Sequence, residues 1–270
     1  MTLSRDEVRT AAASARATAV AAKAPIGDLG GNWMTGPDEE RATKDAGLVG
    51  WQLYFLGRHG VLGDVDPDVV TSAAYFFPAD VVRSQWQAAR AVLSPDAAMR
   101  RYLAICHAWG ERHLTGFAGA DRLSDLAQQV ADGADVAGLP LFAGWRAVAV
   151  PGTTPARCAH LMHVLREHRG ACHGVAVVAS GLSPLMAVLA NQRGEDNAVE
   201  YGWQPPFPSV TAQDRQLRER VEVLTDDLVA PAYESVDRRE RGLLLELLAA
   251  AHAHAFPGGR VPHGGGGQAV

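Results

Sequence analysis

The fold of this 270-residue chain is decided by residues 155–180, which read PARCAHLMHVLREHRGACHGVAVVAS. Apolar residues recur throughout and Pro155 suits the first turn of a helix, so the segment predicts one long helix. Charged and imidazole side chains cluster in its middle, between Arg157 and His173. Charges inside so apolar a frame are expected to be paired and internal, with shifted pKa values. The segment is therefore both a core element and a candidate functional site.

Helical geometry arranges this cluster into faces. At about 100° per residue, His160, His163 and Glu167 share one face, and His168 follows His160 by two turns. Helical bundles present metal ligands at this spacing, but no second ligand-rich helix is visible, and we predict no metal and no cofactor. The other interpretations are a solvated face with a Glu167–Arg169 ion pair, and an internal network that faces a ligand.

Composition excludes several classes of protein. The chain is 47% hydrophobic and 20% charged, which is too apolar for intrinsic disorder. No apolar run reaches the ~18 residues of a membrane helix, so we expect no membrane contact and a cytoplasmic location. Three cysteines without a CxxC motif favour a reducing compartment. A net charge of -5 excludes a globally basic nucleic-acid surface.

Helical periodicity dominates the rest of the chain. We predict an all-α fold of two helical halves, the second a degenerate winged-helix-like unit. The predicted organisation is an N-terminal helix and Gly-rich loop at 1–36, a helical half at 37–150, the winged-helix-like half at 151–257 and a flexible tail at 258–270. The main predicted helices are 4–24, which Pro25 closes, 38–58, 155–180, 211–230 and 238–256. Residues 145–150 alternate weakly and are the one candidate strand.

A second, smaller polar cluster is Gly57-Arg58-His59-Gly60, directly after Trp51, Tyr54 and Phe55. An arginine between glycines in an apolar frame can hold a carboxylate or phosphate in a forked geometry. An arginine that caps the C-terminal end of its helix explains the pattern equally well.

Common catalytic and nucleotide-binding motifs are absent. There is no GxSxG elbow, and the Gly-rich segment 27–36 has no GxxxxGK[ST] pattern and follows a helix rather than a strand. Cys172 and His173 are adjacent, and adjacent helical side chains point about 100° apart. A thiolate–imidazolium pair between them is therefore not predicted.

Residues 54–63 read YFLGRHGVLG, and residues 65–70 read VDPDVV. These segments resemble the YFxGRAAPLG motif and the V-x-P-x-V-V element of an actinobacterial family labelled helix-turn-helix or MarR-like. Pro140-Leu141-Phe142, the LREHRG of 165–170 with His173, Glu222-x-x-Thr225-Asp226 and Ala230-Pro231 continue the likeness, which covers about residues 45–250. The resemblance implies a ligand-responsive regulator that binds DNA as a dimer.

The chain departs from the family pattern at two places. The family's RGDGH is Arg169-Gly170-Ala171-Cys172-His173 here, so the acidic residue is lost. The family's recognition helix and wing correspond to residues 201–211, where three prolines are incompatible with a helix interior. No basic residue lies between Glu195 and Asp214, so this segment has no cationic side chain to bind the phosphates of DNA. These features argue against nucleic acid as a partner.

The main functional hypothesis is a helical small-molecule-binding protein, an enzyme of bacterial specialised metabolism with a Glu/His/Arg pocket. Glu167, His168 and His173 are the predicted general acids or bases. The predicted substrate-binding residues are Trp51, Tyr54, Arg58, His59, Phe76, His160, Arg166, Arg169 and Trp203. The alternatives are a ligand-responsive MarR-like DNA-binding regulator and a scaffold whose cluster is purely structural. The sequence leaves open whether the protein forms a homodimer. The largest cavity is expected to be lined by segments 51–60 and 160–173.

Overall fold

The computed structural model describes residues 4–259, and this part of the chain is all-α, as the sequence predicts. Between these residues there are fourteen α-helices, two 3₁₀ turns and no β-strand. In chain order the helices are α1 (Arg5–Ala11), α2 (Ala15–Gly31), α3 (Pro37–Asp45), α4 (Gln52–His59), α5 (Pro67–Ala73), α6 (Ala79–Arg90), α7 (Pro95–His113), α8 (Ala120–Gly133), α9 (Pro140–Ala147), α10 (Thr154–Ala179), α11 (Pro184–Leu189), α12 (Gly194–Glu200), α13 (Ala212–Val229) and α14 (Arg238–Ala255). The 3₁₀ turns are Gly60–Leu62 and Ala230–Ser235.

Helix α10 is the central element of the molecule. It packs against α2, α7, α8, α9 and α13, and every residue from Cys158 to Gly170 is buried. A helix that is buried on all sides has no solvent face, so its charged residues must find partners inside the protein. The prediction of a long helix over 155–180 is confirmed.

Two glycines allow neighbouring helices to approach α10 closely. A Cβ at Gly30 of α2 would collide with the carbonyl of Met162, and one at Gly110 of α7 would collide with the carbonyl of Pro155. Without side chains at these points, α2 and α7 lie directly against the backbone of α10. The buried charges of α10 are therefore surrounded by protein rather than water.

Three local predictions are wrong. The predicted helix 4–24 is two helices, α1 and α2, because Ser14 caps the start of a new helix. Pro25 lies inside α2, which continues to Gly31 within the predicted Gly-rich loop, because packing of the helix on α10 outweighs the one hydrogen bond that proline removes. The predicted helix 38–58 is two helices, α3 and α4, separated by a turn in which Gly47 and Gly50 adopt positive φ. Residues 145–150 are not a strand, since α9 begins at Pro140 and continues to Ala147.

One apolar cluster forms the main core and extends from Val8 to Ala255. A smaller cluster joins the end of α10 to α11 and α13 through Val177, Ala187 and Val221. The division into segments 1–36, 37–150, 151–257 and 258–270 stays a prediction, and most of the last segment lies outside the described residues.

Helices α11 and α12 form a compact pair. Four residues, 190–193, separate them, and the two helices are in contact. Residues 202–211, which follow α12 after its cap residue Tyr201, are irregular and contain no strand. A short turn and a contact between two helices are features that α11 and α12 share with a helix-turn-helix, and residues 202–211 of the described chain form no wing.

Candidate functional site

An ion pair between α4 and α10 lies at the centre of the buried cluster. Arg58 donates from Nε to Oε1 of Glu167 at 3.0 Å and from Nη2 to Oε2 at 2.8 Å. Its Nη1 donates to the Tyr54 hydroxyl at 3.2 Å. The bidentate geometry is the strong form of an arginine–carboxylate contact. Arg58 thus binds a carboxylate, as one hypothesis predicts, but that carboxylate belongs to the chain itself.

Glu167 is completely buried and shared between two arginines. Its Oε1 also accepts a hydrogen bond from Nη1 of Arg166 at 2.8 Å. Burial opposes ionisation of Glu167, but the positive charges of Arg58 and Arg166 outweigh it and lower its pKa to about 2. The carboxylate is therefore ionised at neutral pH. The expectation of a solvated face with a Glu167–Arg169 pair is wrong.

The buried imidazoles near this pair are neutral at physiological pH. Burial is the largest cause, since the charged form is poorly solvated inside the protein. It lowers the pKa to about 3 for His59, His163 and His173, and to about 4 for His160 and His168. An acid or base that works at neutral pH needs a pKa near 7, so these values do not favour proton transfer.

A second set of polar contacts joins α10 to α13. Arg169 forms ion pairs with Glu222 at 3.2 Å and Asp226 at 2.8 Å. The Thr225 hydroxyl donates to a carbonyl one turn earlier in α13, so its oxygen accepts from Nδ1 of His173 at 2.9 Å. The LREHRG segment and the Glu-x-x-Thr-Asp element are far apart in sequence and meet here. Arg169 and His173 thus hold two helices together.

A cavity of about 330 Å³ lies beside the ion pair, between α5, the turn before α9 and the last third of α10. Its wall is mainly apolar, and Arg58 is the one charged residue among the described residues that line it. The lining residues are Arg58, Ser72, Ala73, Tyr75, Gly138, Leu139, Pro140, Leu141, Gly170, Ala171, Gly174, Val175, Val178 and Ala179. The cavity touches the predicted segments 51–60 and 160–173, but most of its wall lies outside them.

Of the predicted site residues, only Arg58 lines this cavity. Glu167 lies behind Arg58, and His168 packs on the ring of Phe142 at a centroid distance of 4.7 Å. The predicted residues that the structure places elsewhere in the core or its edge are Trp51, Tyr54, His59, Phe76, His160, Arg166, Glu167, His168, Arg169, His173 and Trp203. Their catalytic and substrate-binding roles stay predictions, and the geometry supports structural roles for them.

The aromatic residues expected as pocket walls make contacts of their own. Trp51 packs edge to face on Tyr54 at 5.1 Å, and the indole N–H of Trp203 donates to the carbonyl of Phe76 at 2.9 Å. His160 shares a hydrogen bond of 3.2 Å with His107. These contacts fix the packing of the core.

Sequence reasoning missed most of the residues that form the cavity wall. Tyr75 donates a hydrogen bond from its hydroxyl to the carbonyl of Gly170. A Cβ at Gly174 would overlap the ring of Tyr75, so the absence of a side chain makes this contact feasible. Gly170 and Gly174 are four residues apart and lie on one helix face, a spacing that permits a neighbouring residue to approach the helix backbone closely. Leu139 and Val178 carry no such signal.

No metal centre is formed in the described chain: across residues 4–259, no three His, Cys, Asp or Glu side chains converge to hold an ion. No helix of this region has the length and apolar character needed to cross a bilayer.

Comparison with known proteins identifies a family. A family model described as a helix-turn-helix family matches residues 19–207, which is well over half of the chain. No curated protein and no solved structure matches.

Proposed function

Because the chain belongs to a helix-turn-helix family, we propose that it is a ligand-responsive regulator that holds a small, largely apolar molecule in the 330 Å³ cavity. Family membership favours a DNA-binding regulator over an enzyme. The observation that carries the ligand-binding part is the cavity itself, which opens between α5 and α10 and has an apolar wall. A cytoplasmic location and a homodimer remain part of the proposal.

The cavity has the properties of a small-molecule site. Such sites have volumes of about 300–1,000 Å³, mainly apolar walls and a few polar groups that orient the ligand. Val178 is 74% exposed and Val175 is 39% exposed, so apolar surface continues from the cavity to the outside. Exposed apolar surface next to a cavity supports entry of an apolar molecule from solvent.

The buried ionisable groups support a regulator rather than an enzyme. Glu167 has no proton to donate at neutral pH, and both of its oxygens accept hydrogen bonds from arginines. His168 and His173 are buried and neutral, and neither lines the cavity. A group that does not reach the bound molecule cannot transfer a proton to it.

Direct contact with duplex DNA is the second part of the proposal, and the α11–α12 pair with its four-residue turn supports it. The family assignment also counts against the expectation that nucleic acid is not a partner. The exposed side chains of α12 include Glu195 and Asp196, and Arg193 is bonded to Asn197 and Glu200. These carboxylates would repel phosphates, so we expect α12 to contribute little electrostatic affinity.

The ligand site is tested with N-phenyl-1-naphthylamine, an uncharged probe that fluoresces in apolar surroundings. Val178→Trp narrows the mouth of the cavity without burying new volume, and we expect it to weaken probe binding at least ~10-fold. Val223→Trp on α13 is the matched control, because Val223 is 51% exposed and does not line the cavity. Equal probe affinity for both variants and the unchanged protein would refute the site.

The DNA part is tested by selecting binders from a randomised duplex library, then measuring their affinity at about 50 and 200 mM salt. We expect a selected duplex whose affinity falls as salt rises and changes when N-phenyl-1-naphthylamine is added. If no duplex is enriched, the regulator does not act on DNA, whereas the ligand site is unaffected by that result.

A further inference from the structure

We propose that the molecule bound in the cavity carries an oxygen acceptor, a carbonyl or a carboxylate, at the end of an apolar skeleton. The guanidinium of Arg58 donates a hydrogen bond to this oxygen. This inference rests on the proposed ligand site and goes beyond it by assigning the chemical class of the ligand.

The first argument is the number of guanidinium N–H groups of Arg58 that are not used in hydrogen bonds within the protein. A guanidinium has five N–H bonds. Within residues 4–259, Arg58 uses one at Nε and one at Nη2 for Glu167, and one at Nη1 for Tyr54. One N–H on each terminal nitrogen remains. The Arg58 side chain is 10% exposed and lines the cavity, so a bound molecule can reach it.

The second argument is the charge that the cavity presents. No Asp or Glu is among the described lining residues, and Glu167 is fully buried behind Arg58. The hydroxyl of Tyr75 already donates to Gly170. The inner end of the cavity thus offers donors and a positive charge but no anion. An ammonium group at this end would be repelled by the like charge of Arg58, whereas an oxygen acceptor would be stabilised by it.

The third argument is the contrast between the inner end and the rest of the wall. Leu139, Leu141, Ala171 and Val175 give apolar surface and no further ionisable group. A ligand whose apolar body fills this part and whose oxygen lies at Arg58 satisfies both regions. The arrangement is a mainly apolar site in which one charged group, the Arg58 guanidinium, fixes the orientation of the ligand.

Four naphthalene derivatives with one skeleton test the inference on the unmodified protein by titration calorimetry. They are 2-acetylnaphthalene, 2-naphthoate, 2-ethylnaphthalene and 1-(2-naphthyl)ethylamine. We expect the ketone or the carboxylate to bind at least ~10-fold more tightly than the ethyl compound, because a hydrogen bond to a charged donor is added. The amine should bind more weakly than the ethyl compound. Preference for the ketone indicates a neutral ligand, and preference for the carboxylate indicates an anionic one.

The outcomes separate this inference from the proposed function. If the ethyl compound and both oxygen-bearing compounds bind with equal affinity, and Val178→Trp weakens the binding of all three, the inference of an oxygen acceptor is wrong and the proposed ligand site is supported. If Val178→Trp weakens the binding of none of these compounds, the ligand site is refuted, and so is the inference that rests on it.

A double variant gives an independent check on Arg58. Arg58→Met with Glu167→Gln removes both charges of the ion pair, and the glutamine amide oxygen can still accept the hydrogen bond that Arg166 donates at position 167. We expect the variant to bind the ethyl compound as before and to lose the preference for oxygen. Retention of the full preference in a folded double variant would overturn the role of Arg58.

Discussion

The carboxylate of Glu167 accepts hydrogen bonds from Arg58 on α4 and from Arg166 on α10. Replacement Glu167→Gln would leave the buried Arg58 guanidinium with a neutral amide in place of its carboxylate. Because breaking a buried ion pair leaves an uncompensated charge, we expect a loss of about 3–5 kcal/mol in unfolding free energy. Urea denaturation measures this loss. Glu219→Gln on exposed α13 surface is the matched control and should change stability by less than about 0.5 kcal/mol. A Glu167→Gln protein as stable as the control would contradict the structural role.

Single residues also show what sequence reasoning can predict about the site. The clustering of charges within an apolar helix correctly indicates that Glu167 is internal, since every neighbour from Cys158 to Gly170 is buried. Its partner Arg58 lies 109 positions earlier, and no local pattern identifies such a pairing. Arg169, the partner of Glu167 in one of the interpretations of the sequence, is two residues away on the helix and cannot face Glu167.

At the level of elements, the packing of the Tyr75 ring against α10 explains why position 174 is a glycine. A Cβ there would overlap the Tyr75 ring, so Gly174→Ala should displace Tyr75 and lower stability by about 1–3 kcal/mol. Gly27→Ala is the control, because Gly27 lies inside α2 with open space around it. That change should raise stability by about 0.5–1 kcal/mol through helix propensity. Thermal unfolding of both variants measures the contrast, and equal shifts of the same sign would exclude this account of the contact.

The elements that sequence predicts well are those whose ends carry their own signals. The predictions over 211–230 and 238–256 agree with α13 and α14, whose caps Thr211 and Asp237 each form a capping box. The prediction fails at Pro25, where tertiary packing outweighs a local helix breaker. It also fails over 145–150, because six alternating residues are too few to distinguish a strand from a short helix. Most of the cavity wall could not be predicted, since it joins four segments that are distant in the sequence.

For the molecule as a whole, the buried histidines determine how stability responds to acid. Their pKa values of about 3 to 4 in the folded protein lie below the usual value of 6.5. Between these limits the unfolded chain binds protons that the folded chain does not, so stability falls as pH decreases. Each histidine contributes up to about 1.4 kcal/mol per pH unit in that window.

We therefore expect the urea midpoint to fall steadily from about pH 6.5 to pH 4. Below about pH 4.5 Glu167 adds to this loss of stability. Its pKa in the folded protein is lowered to about 2, so the unfolded chain binds a proton at Glu167 that the folded chain does not. The stability that the carboxylate contributes therefore disappears as the pH falls towards 2. A urea midpoint that stays constant between pH 7 and pH 5 would show that these imidazoles are protonated or exposed in the folded protein.

The central claim for the whole molecule is that the cavity between α5 and α10 receives a ligand and that the buried charges behind it serve the fold. A crystal structure of the protein grown with saturating 2-acetylnaphthalene tests this claim most directly. We predict density for the naphthalene rings against Leu141 and Val175, with the carbonyl oxygen at Arg58 and with Glu167 unmoved. Density at another site, or an empty cavity at saturating concentration, would contradict the claim.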